Sequence, residues 1–550
     1  MERENKKMEK EDFKVLFFEW RDNESLYKYT LGLHYLTSAL REQGFKVKDK
    51  IFERDSVEEV VESVISYNPS LVGVHFYAES EQFIFEFMRL LKSRRPGIVT
   101  MVGGHTATLY AAAILNKEPC IDIVSYGEGE LTVVDLCERL YRGEDLDDCK
   151  GIFYRKSGFI KRNPRRELVE DLDRLPFPAL DVVIEENRNS KTVFAAISTS
   201  RGCKGKCGFC ITDRVFEGHS AKQWRGRSPQ SVVDELLELK QTFADKRLVY
   251  RIVDGSFEDP DPFQKIRLKE IIALFAENDI KIPFGILSRA ESWKEEDEEL
   301  IRKMKKQGLY EVGIGFEACT DKSLRVLNKR ATVQDNYRAY DLFSRNGINV
   351  FGFLIMLHPY TDFEELKMNA KFLLDMNMGY QTQNWWSELY LWPDSRILPK
   401  IIRDGLLLGP AENGYQLEYA FIDGKVAKVR KILRKVSKLE SLLKCRETIE
   451  KYKIECGIYE VWREQYDDMK AIKEEVNQYI DFYNIMRKKL GQDQYDIFIK
   501  VLDIVEKNEI EKADFIVREW DKLLIKYYTI LEKEWIKYRM QFGRKKVVLI

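Results

Sequence analysis

Residues 199–210 read TSRGCKGKCGFC and place Cys203, Cys207 and Cys210 in a C-x3-C-x2-C pattern. Three thiolates this close together can bind one side of a cubane iron–sulfur cluster. A fourth cysteine is missing nearby, so one iron would lack a protein thiolate. Its open coordination position would indicate a catalytic site instead of a structural one. Three glycines in the same stretch let the backbone turn tightly around such a group.

The same cysteines also fit a second kind of site. They could bind zinc with a distant fourth ligand, which would make the chain an interaction module instead of an enzyme. Zinc sites more often contain two C-x2-C pairs. The remaining cysteines are scattered along the chain: Cys120, Cys137, Cys149, Cys319, Cys445 and Cys456. The spacing therefore favours the cluster.

The composition narrows the class of protein. The chain has 550 residues with 90 basic and 91 acidic side chains, so it has no global charge that would attract nucleic acid or an anionic membrane. It contains no run of about 20 apolar residues, which predicts no membrane span. Residues 1–12 are charged and lack an apolar signal core. Isolated cysteines in such a chain favour a reducing compartment, so we predict a cytoplasmic protein.

Residues 13–145 alternate short apolar runs with amphipathic segments. Four of the runs are predicted to be buried strands: 13–18, 70–75, 98–102 and 121–125. Strands that alternate with helices favour an α/β domain with a doubly wound, Rossmann-like parallel sheet, in which ligands bind beyond the carboxyl ends of the strands. Two glycine clusters, at 103–106 and 127–130, follow such strand ends.

Residues 146–190 read as a linker with a small hairpin, because acidic residues and prolines interrupt helical periodicity there. The alternation of strands and helices returns over 191–400. Six strands are predicted in this region: 193–198, 248–253, 284–287, 311–316, 350–356 and 388–391. They fit a partial (β/α)6 TIM-type barrel with its active site at the carboxyl ends of the strands. Residues 401–550 have apolar residues three and four apart, which predicts a mainly helical C-terminal domain.

Polar side chains end three of the predicted barrel strands. Residues 250–259 read YRIVDGSFED, residues 288–289 read SR, and residues 311–317 read EVGIGFE. A carboxylate at a strand end can accept hydrogen bonds from ribose hydroxyls or from an ammonium group. Each segment is also compatible with an ordinary capped strand or turn.

Together these stretches resemble the radical S-adenosylmethionine (radical SAM) enzymes. The cysteine run is similar to their cluster loop, including the aromatic Phe209 before the last cysteine. The glycine clusters at 103–106 and 127–130 resemble the cobalamin (B12)-binding domain that precedes many radical SAM cores. The segments 172–178 and 225–229 match the same subclass. The resemblance covers residues 13 to about 400.

The resemblance implies a set of site residues. Cys203, Cys207 and Cys210 would hold a [4Fe–4S] cluster. Residues implied to lie at SAM are Phe209, Asp254, Gly255, Ser288, Arg289 and Glu317. Residues implied to lie at cobalamin are Gly103, Gly104, His105, Thr106, Gly127, Glu128, Gly129 and Glu130. The resemblance assigns no catalytic residue.

The chain departs from the family at two points. The motif D-x-H-x-x-G, whose histidine binds cobalt from below, is absent, and His34, His75 and His105 lack its context. Cobalamin could therefore bind without a protein lower ligand, or the domain could be a relic without cobalamin. Leu357 stands where the family commonly has a glycine, and the neighbouring His358 is predicted to be structural.

The resemblance implies that SAM binds the open iron and is cleaved by one electron to a 5′-deoxyadenosyl radical. The leading prediction is cobalamin-dependent C-methylation of an unactivated carbon. The second is a peptide or natural-product epimerase, cyclase or rearrangement enzyme that transfers no methyl group. Epimerisation would need a hydrogen donor, such as Cys319, Cys445 or Cys456. The third is the zinc-binding interaction protein. The implied partners are a small-molecule or peptide substrate and an external electron donor of the flavodoxin or ferredoxin type, without nucleic acid or membrane.

Overall fold

The structure is a computed structural model that describes residues 10–21, 31–216, 224–258, 264–411, 414–545 and 547. Asp259, at the end of one predicted motif, lies outside the described residues. The chain divides into two compact units. The first comprises Met1–Ser190, Phe194–Cys203 and Ile211–Ser231, and the second comprises Lys191–Val193, Lys204–Cys210 and Val232–Ile550.

Seven strands form the sheet of the first unit. They are β1 (Lys14–Arg21), β2 (Lys46–Glu53), β3 (Leu71–His75), β4 (Val99–Gly103), β5 (Ile123–Ser125), β6 (Ile152–Lys156) and β7 (Phe159–Arg162). Their order across the sheet is β2-β1-β3-β4-β5-β6-β7. Strands β1 to β5 are parallel, and β6 and β7 continue the sheet as an antiparallel hairpin. In this doubly wound order the ligand edge lies at the carboxyl ends of the parallel strands.

Six helices of the first unit precede the cysteine run. They are α1 (Leu31–Glu42), α2 (Val57–Tyr67), α3 (Glu81–Arg94), α4 (His105–Lys117), α5 (Glu130–Arg142) and α6 (Asp181–Glu186). The longer helices bury one apolar face; in α2 that face consists of valines three and four residues apart, as expected for a helix that covers a sheet. A capping box between Ser56 and Glu59 satisfies the first backbone N–H groups of α2.

The predicted strands of the first region are all present, and β2 is an additional one. Strand β2 reads KVKDKIFE and lies at the sheet edge, where exposed lysines alternate with buried residues. It therefore lacks the continuous apolar run from which the other strands were predicted. The hairpin of β6 and β7, predicted as part of a linker, extends the first sheet to Arg162.

Short elements follow around the cysteine run. They are β8 (Thr192–Ile197), β9 (Ser200–Arg201), α7 (Thr212–Val215) and β10 (Arg225–Gly226). The two-residue strands β9 and β10 pair in antiparallel fashion. The division between the two units crosses β8.

A five-stranded sheet follows in the order β14-β13-β12-β11-β8. Its further strands are β11 (Arg247–Ile252), β12 (Phe284–Arg289), β13 (Leu309–Glu317) and β14 (Asn349–Leu354). Strands β11 to β14 are parallel, so their carboxyl ends lie at one edge. This parallel sheet with intervening helices confirms the predicted fold class.

The prediction of a sixth full strand at 388–391 was wrong. In the described residues this segment forms only isolated bridges, Leu357 with Glu388 and Leu391 with Leu417. The N–H of Leu357 donates to Ser387 O at 3.0 Å, and the N–H of Leu389 donates to Leu357 O at 2.8 Å. Pro393 follows closely and has no N–H with which to continue a ladder.

The remaining elements are mainly helical. The helices are α8 (Pro229–Thr242), α9 (Ile266–Glu277), α10 (Glu298–Lys306), α11 (Asp321–Val326), α12 (Val333–Arg345), α13 (Phe363–Asp375), α14 (Leu398–Arg403), α15 (Gly424–Val436), α16 (Glu440–Gln465), α17 (Asp467–Lys470), α18 (Lys473–Glu506) and α19 (Ala513–Arg544). One small antiparallel pair, β15 (Leu407–Pro410) and β16 (Leu417–Tyr419), lies between α14 and α15. In the described part of the chain, no helix combines the length and the hydropathy needed to cross a membrane.

Helix α16 packs against the amino-terminal ends of the parallel strands of the second unit. Lys453 of α16 is buried, and its Nζ lies 3.0 Å from Glu311 Oε2 near the start of β13. The same ammonium group lies 4.1 Å from the ring centre of Phe351 in β14. A Cβ atom on Gly457 would lie 2.3 Å from the ring of Tyr310, so glycine permits this close approach. The helical C-terminal region thus closes the end of the sheet opposite its ligand edge.

Candidate active site

The second half of the cysteine loop is held by backbone hydrogen bonds within the second unit. The N–H of Gly208 donates to Leu327 O at 2.6 Å, and Gly208 O accepts from the N–H of Ile397 at 2.9 Å. A Cβ atom on Gly208 would lie 3.2 Å from Leu327 O, so this glycine allows the loop to approach. The Cys210 N–H donates to Cys207 O at 3.3 Å. The positions of these two thiols are therefore fixed by the fold around them.

The first half of the loop is anchored within the first unit. Arg201 precedes Cys203 in the chain and is paired through β9 and β10 with Arg225. Glu128 Oε1 lies 3.2 Å from Arg201 Nη1 and 2.8 Å from Arg225 Nη2. Arg201 Nη2 also lies 2.5 Å from Glu130 Oε1. Arg225, in the segment 225–229 that matches the subclass, thus forms a buried ion-pair cluster with Arg201 and the loop at 127–130.

These contacts define what Glu128 and Glu130 do in the structure. Burial acts to raise the pKa of Glu128, but hydrogen bonds and charge from Arg225 and Arg201 lower it below its usual value. Glu128 also accepts the backbone N–H of Val169 at 2.8 Å. Both carboxylates, predicted to lie at cobalamin, are engaged in anchoring the strand that leads to Cys203.

A hydrogen-bonded set lies at the carboxyl ends of β11 and β12. The buried Glu258 accepts from Ser288 Oγ at 2.7 Å, from Ser292 Oγ at 2.8 Å and from the Arg289 N–H at 3.1 Å. Ser288 Oγ in turn accepts from Trp293 Nε1 at 2.7 Å. The Ser288 hydroxyl is thus used within the protein, and the set orients the Ser288-Arg289 segment at the ligand edge.

Glu317 ends β13 at the same edge. Its φ of 66° is in the left-handed region, which is uncommon for a residue with a side chain. A Cβ atom on Gly315 would lie 2.5 Å from Glu317 Oε1 and 3.4 Å from Lys329 Nζ, so both charged groups lie against this glycine. Lys329 is buried, with its Nζ 3.9 Å from Glu291 Oε2. The G-x-E spacing therefore has a steric reason.

Burial dominates the electrostatics of this edge. It raises the pKa of Glu317 to about 6, although Lys329 acts to lower it. It also raises the pKa of the Cys207 thiol to about 12, with Lys329 again acting in the opposite direction. A thiolate at this place needs a nearby cation, which the iron of a cluster supplies. The donor set therefore fits a cysteine-bound cluster beside Glu317 and Lys329.

Among the residues that the structure describes, no three His, Cys, Asp or Glu side chains are grouped as the ligands of one ion would be. A cubane cluster sets a different requirement, because each thiolate binds a different iron. The ligand set Cys203, Cys207 and Cys210 stays a prediction.

The ligand edge of the first sheet contains an unsatisfied buried nitrogen. His75 ends β3, and its Nε2 is buried without a hydrogen-bond partner among the described residues. A Cβ atom on Gly104, whose φ is 104°, would lie 2.8 Å from this nitrogen. Burial lowers the pKa of His75 to about 4, so its imidazole is neutral. A bound group that supplies the missing partner fits here, as expected for cobalamin on this edge.

The other predicted cobalamin residues surround the same edge. Gly103 ends β4, and Thr106 is buried in the first turn of α4 beside the exposed His105. Gly127 has a φ of 85°, and its N–H donates to Thr108 Oγ1 at 3.1 Å. Gly129 precedes α5, and a Cβ atom there would lie 2.9 Å from Leu36. These glycines thus allow close packing of the loops at the ligand edge.

The remaining predicted SAM residues have different environments. Asp254 is buried in the loop after β11, whereas Gly255 is exposed beside it. Phe209 packs against an apolar cluster that includes Leu327 and Ile397. Its ring therefore helps to hold the cysteine loop.

His358 has a structural role, as predicted. Its Nδ1 accepts the N–H of Tyr360 at 3.2 Å, so its Nε2 carries the proton that faces Ser323 Oγ at 2.8 Å. Burial lowers the pKa of His358 to about 3. Both ring nitrogens are thus engaged within the fold.

Sequence reasoning assigned no role to three residues that the structure brings to the ligand edge, Glu258, Glu291 and Lys329. Glu291 follows the predicted Ser288-Arg289 strand end by two positions, and Arg289 Nη1 lies 3.5 Å from its Oε1. The sequence SRAES at 288–292 could have indicated Glu291, because it places charged and hydroxyl side chains at the end of a strand and just after it.

The first unit contains a doubly wound sheet with a glycine-lined ligand edge, the second contains a parallel α/β sheet, and the cysteine loop has residues in both. These features are typical of cofactor-dependent α/β enzymes. The Radical SAM superfamily model matches residues 197–373, and the B12 binding domain model matches residues 26–137. The chain belongs to the radical SAM enzymes that carry a B12-binding domain. The cofactors of the class are a [4Fe–4S] cluster, SAM and cobalamin. This result replaces the alternative of a zinc-binding interaction module.

Similar proteins extend over most of the chain. An uncharacterized methyltransferase of Pyrococcus horikoshii is 26% identical over 380 residues, covering 69% of this chain and 79% of that protein. A cytidylyl-2-hydroxyethylphosphonate methyltransferase of Streptomyces wedmorensis is 25% identical over 450 residues, covering 71% and 81%. The fold is shared with the cobalamin-dependent S-adenosylmethionine radical enzyme OxsB, solved with aqua-cobalamin and S-adenosylmethionine bound. That comparison has a TM-score of 0.69 and 17% identity, and covers 97% of this chain and 83% of OxsB.

Proposed function

We propose that this enzyme methylates an unactivated carbon of a small-molecule or peptide substrate in a cobalamin-dependent reaction. The observation that carries the proposal is the presence of a B12-binding region and a radical SAM region in one chain. The methyltransferase names of the relatives from Pyrococcus horikoshii and Streptomyces wedmorensis support methyl transfer as the outcome.

When bound, the cluster with SAM supplies a radical that removes hydrogen from carbon, and cobalamin supplies the methyl group. The residues of the chain position these groups. The hydrogen bonds of Gly208 fix the loop that carries Cys207 and Cys210. Glu317 is ionised above about pH 6 and can then accept hydrogen bonds from ribose hydroxyls or an ammonium group. Lys329, buried beside it, keeps positive charge near the Cys207 thiol.

The radical step is tested on purified protein that is reconstituted with iron and sulfide without oxygen. We expect the wild type to bind iron and to convert SAM to 5′-deoxyadenosine after reduction with dithionite. The triple variant Cys203→Ala, Cys207→Ala, Cys210→Ala is expected to lose both properties. Cys120→Ala, which removes a cysteine outside the loop, serves as the matched control and is expected to keep both.

Methyl transfer is tested separately in cells that express the wild type or the triple variant and grow on methionine labelled in its methyl group. We expect a labelled product that depends on the wild-type chain and on cobalamin in the medium. If reductive SAM cleavage occurs in vitro but no product carries the label, methylation is refuted. A product altered without label would instead support epimerisation, cyclisation or rearrangement.

We also propose that an external flavodoxin- or ferredoxin-type protein in a cytoplasmic compartment delivers the electron, because this class of reaction needs a one-electron donor. Reduced flavodoxin and reduced ferredoxin are expected to replace dithionite in the SAM-cleavage assay, whereas NADPH alone is not. Failure of both proteins, with dithionite still active, would contradict this choice of donor.

A further inference from the structure

A cavity of 190 Å³ lies within the second unit, at the amino-terminal end of β14. Because β13 and β14 are parallel, this position is opposite the strand ends that carry Glu317. The lining comes from α12, the first residues of β14, the turn after α13, and helices α16 and α18. The cavity is therefore separate from the candidate active site, and the helical C-terminal region forms much of its wall.

The cation in the lining is Arg487, and the described residues give it no counter-ion. The guanidinium of Arg487 on α18 lies 5.7 Å from the ring centre of Tyr380 and 5.8 Å from that of Tyr483. Its Nε is buried, and the described part of the chain offers this side chain neither a hydrogen-bond acceptor nor an acidic partner. Arg487 as a whole is half-buried, so its guanidinium has its Nε in the protein and can still be reached by a ligand that enters the cavity. A carboxylate or phosphate group there would supply the missing acceptor.

The hydroxyl of Tyr483, in the same lining, also lacks a partner among the described residues. Tyr483 is 2% exposed. Burial raises the pKa of Tyr483 well above its ordinary value and also raises the pKa of Tyr340 in the same lining. Both phenols stay protonated at neutral pH and can donate hydrogen bonds to an anion.

The acidic residue in the lining does not neutralise the arginine. Glu460 Oε2 lies 3.3 Å from Lys305 Nζ, and Glu460 Oε1 lies 3.9 Å from Arg463 Nη2. Its charge is therefore compensated by other cations. The lining is left with the uncompensated positive charge of Arg487.

We propose that this cavity binds a small oxyanion, the phosphate or carboxylate group of a small molecule, with Arg487 as its counter-cation and Tyr483 as a hydrogen-bond donor. The planar guanidinium presents paired N–H groups that match such oxygens. Asn349, Asn377 and Asn484 also line the cavity, and an asparagine amide can donate hydrogen bonds to an anion. The site gives the C-terminal helices a binding role that the sequence alone did not assign.

The test is a calorimetric titration of inorganic phosphate into the reconstituted full-length chain at constant ionic strength, with chloride as the balancing ion. We expect one saturable site in the wild type. Binding should weaken at least tenfold in Arg487→Met, which removes the charge, and several-fold in Tyr483→Phe, which removes only the hydroxyl. Lys488→Met removes the same charge from an exposed position on the same helix and is expected to bind phosphate as the wild type does.

A parallel titration with sodium acetate distinguishes a phosphate site from a carboxylate site, and saturable binding of either anion supports the proposal. If neither anion binds the wild type saturably, or if Arg487→Met binds as the wild type does, the proposal is overturned. Should Arg487→Met fail to fold, Tyr483→Phe decides alone, because it keeps both the ring and the arginine. Unchanged affinity in that variant would then overturn the proposal.

Discussion

Gly315 shows how a single missing side chain shapes the active site. Its Cα is covered by the Glu317 carboxylate and the Lys329 ammonium group, so a methyl group there would displace the carboxylate and press against the ammonium group. We expect Gly315→Ala to weaken SAM binding at least tenfold, which corresponds to about 1.4 kcal/mol. Equilibrium binding of SAM to the reconstituted protein measures this. Gly285→Ala on the neighbouring strand is the control, since its Cβ would meet atoms only at 3.7 Å or beyond. Equal affinities in the two variants would contradict the assignment of Glu317.

His75 allows an equally local test in the first unit. His75→Phe keeps a ring that can stack on Tyr77, whose ring centre lies 4.3 Å away, but removes the unsatisfied Nε2. If that nitrogen meets cobalamin, the variant should retain about tenfold less cobalamin after gel filtration, and the visible spectrum of the bound fraction should shift. Full retention with an unchanged spectrum would show that the nitrogen faces something else.

His358 makes the free energy of unfolding depend on pH. Its pKa is about 3 in the folded chain and near 6.5 when unfolded, so the unfolded chain binds the proton first as the pH falls. The folded state therefore loses stability as the pH falls through 6.5, by about 2 kcal/mol at pH 5, and this histidine contributes little pH dependence above about pH 7.5. His358→Gln removes the titration. We expect the difference in free energy of unfolding between variant and wild type to move by this amount in favour of the variant between pH 7 and pH 5, measured by urea denaturation. A constant difference would contradict the buried, neutral histidine.

At the scale of elements, the strand pair β9 and β10 links the cysteine loop to the corner before α5. Glu128 binds the arginines of both strands, so Glu128→Gln would leave buried positive charge with one fewer partner. We expect a loss of about 3 kcal/mol in the free energy of unfolding, together with reduced iron content after reconstitution. Glu58→Gln changes the same group at an exposed position of α2 and should leave both values unchanged. Wild-type iron content in Glu128→Gln would show that the ion pairs do not position the loop.

The elements that could be predicted are those whose signal is local. Continuous apolar runs identify β1, β3, β4 and β5, and the glycines mark where those strands end. Strand β2 could not be found in this way, because its lysines follow from its edge position, which only the assembled sheet reveals. The sixth barrel strand was predicted from apolar residues at 388–391, which are instead buried around isolated bridges.

The active-site residues also differ in whether their signal is local in the sequence or depends on the assembled fold. The cysteine spacing and the G-x-E segment are patterns within a few residues, and the sequence identifies both. The contact of Glu128 with Arg225 joins residues 97 positions apart, and that of Glu258 with Ser288 joins residues 30 positions apart. A single sequence cannot predict such partners, because many other charges could pair equally well before the fold is known.

At the scale of the whole molecule, the helical C-terminal region completes the sheet of the second unit. Lys453→Met would leave the buried Glu311 with Arg251 alone, whose Nη1 is 3.3 Å away. We expect this variant to lose about 3 kcal/mol in the free energy of unfolding. The double variant Glu311→Leu, Lys453→Met should recover most of that loss, because apolar groups replace the pair. Denaturant unfolding of the two variants measures both effects, and a double variant as unstable as the single one would contradict the role of the ion pair.

The separation of Glu311 from Lys453 also bears on how the protein is made. A ribosome that has just released the strands leaves this carboxylate without its ammonium partner until more than 140 further residues have emerged. Until then the sheet of the second unit lacks helix α16 at the amino-terminal ends of its strands. A sheet that is incompletely covered is exposed to aggregation and proteolysis. Synthesis of helix α16 is thus the step that supplies the missing partner of this buried carboxylate.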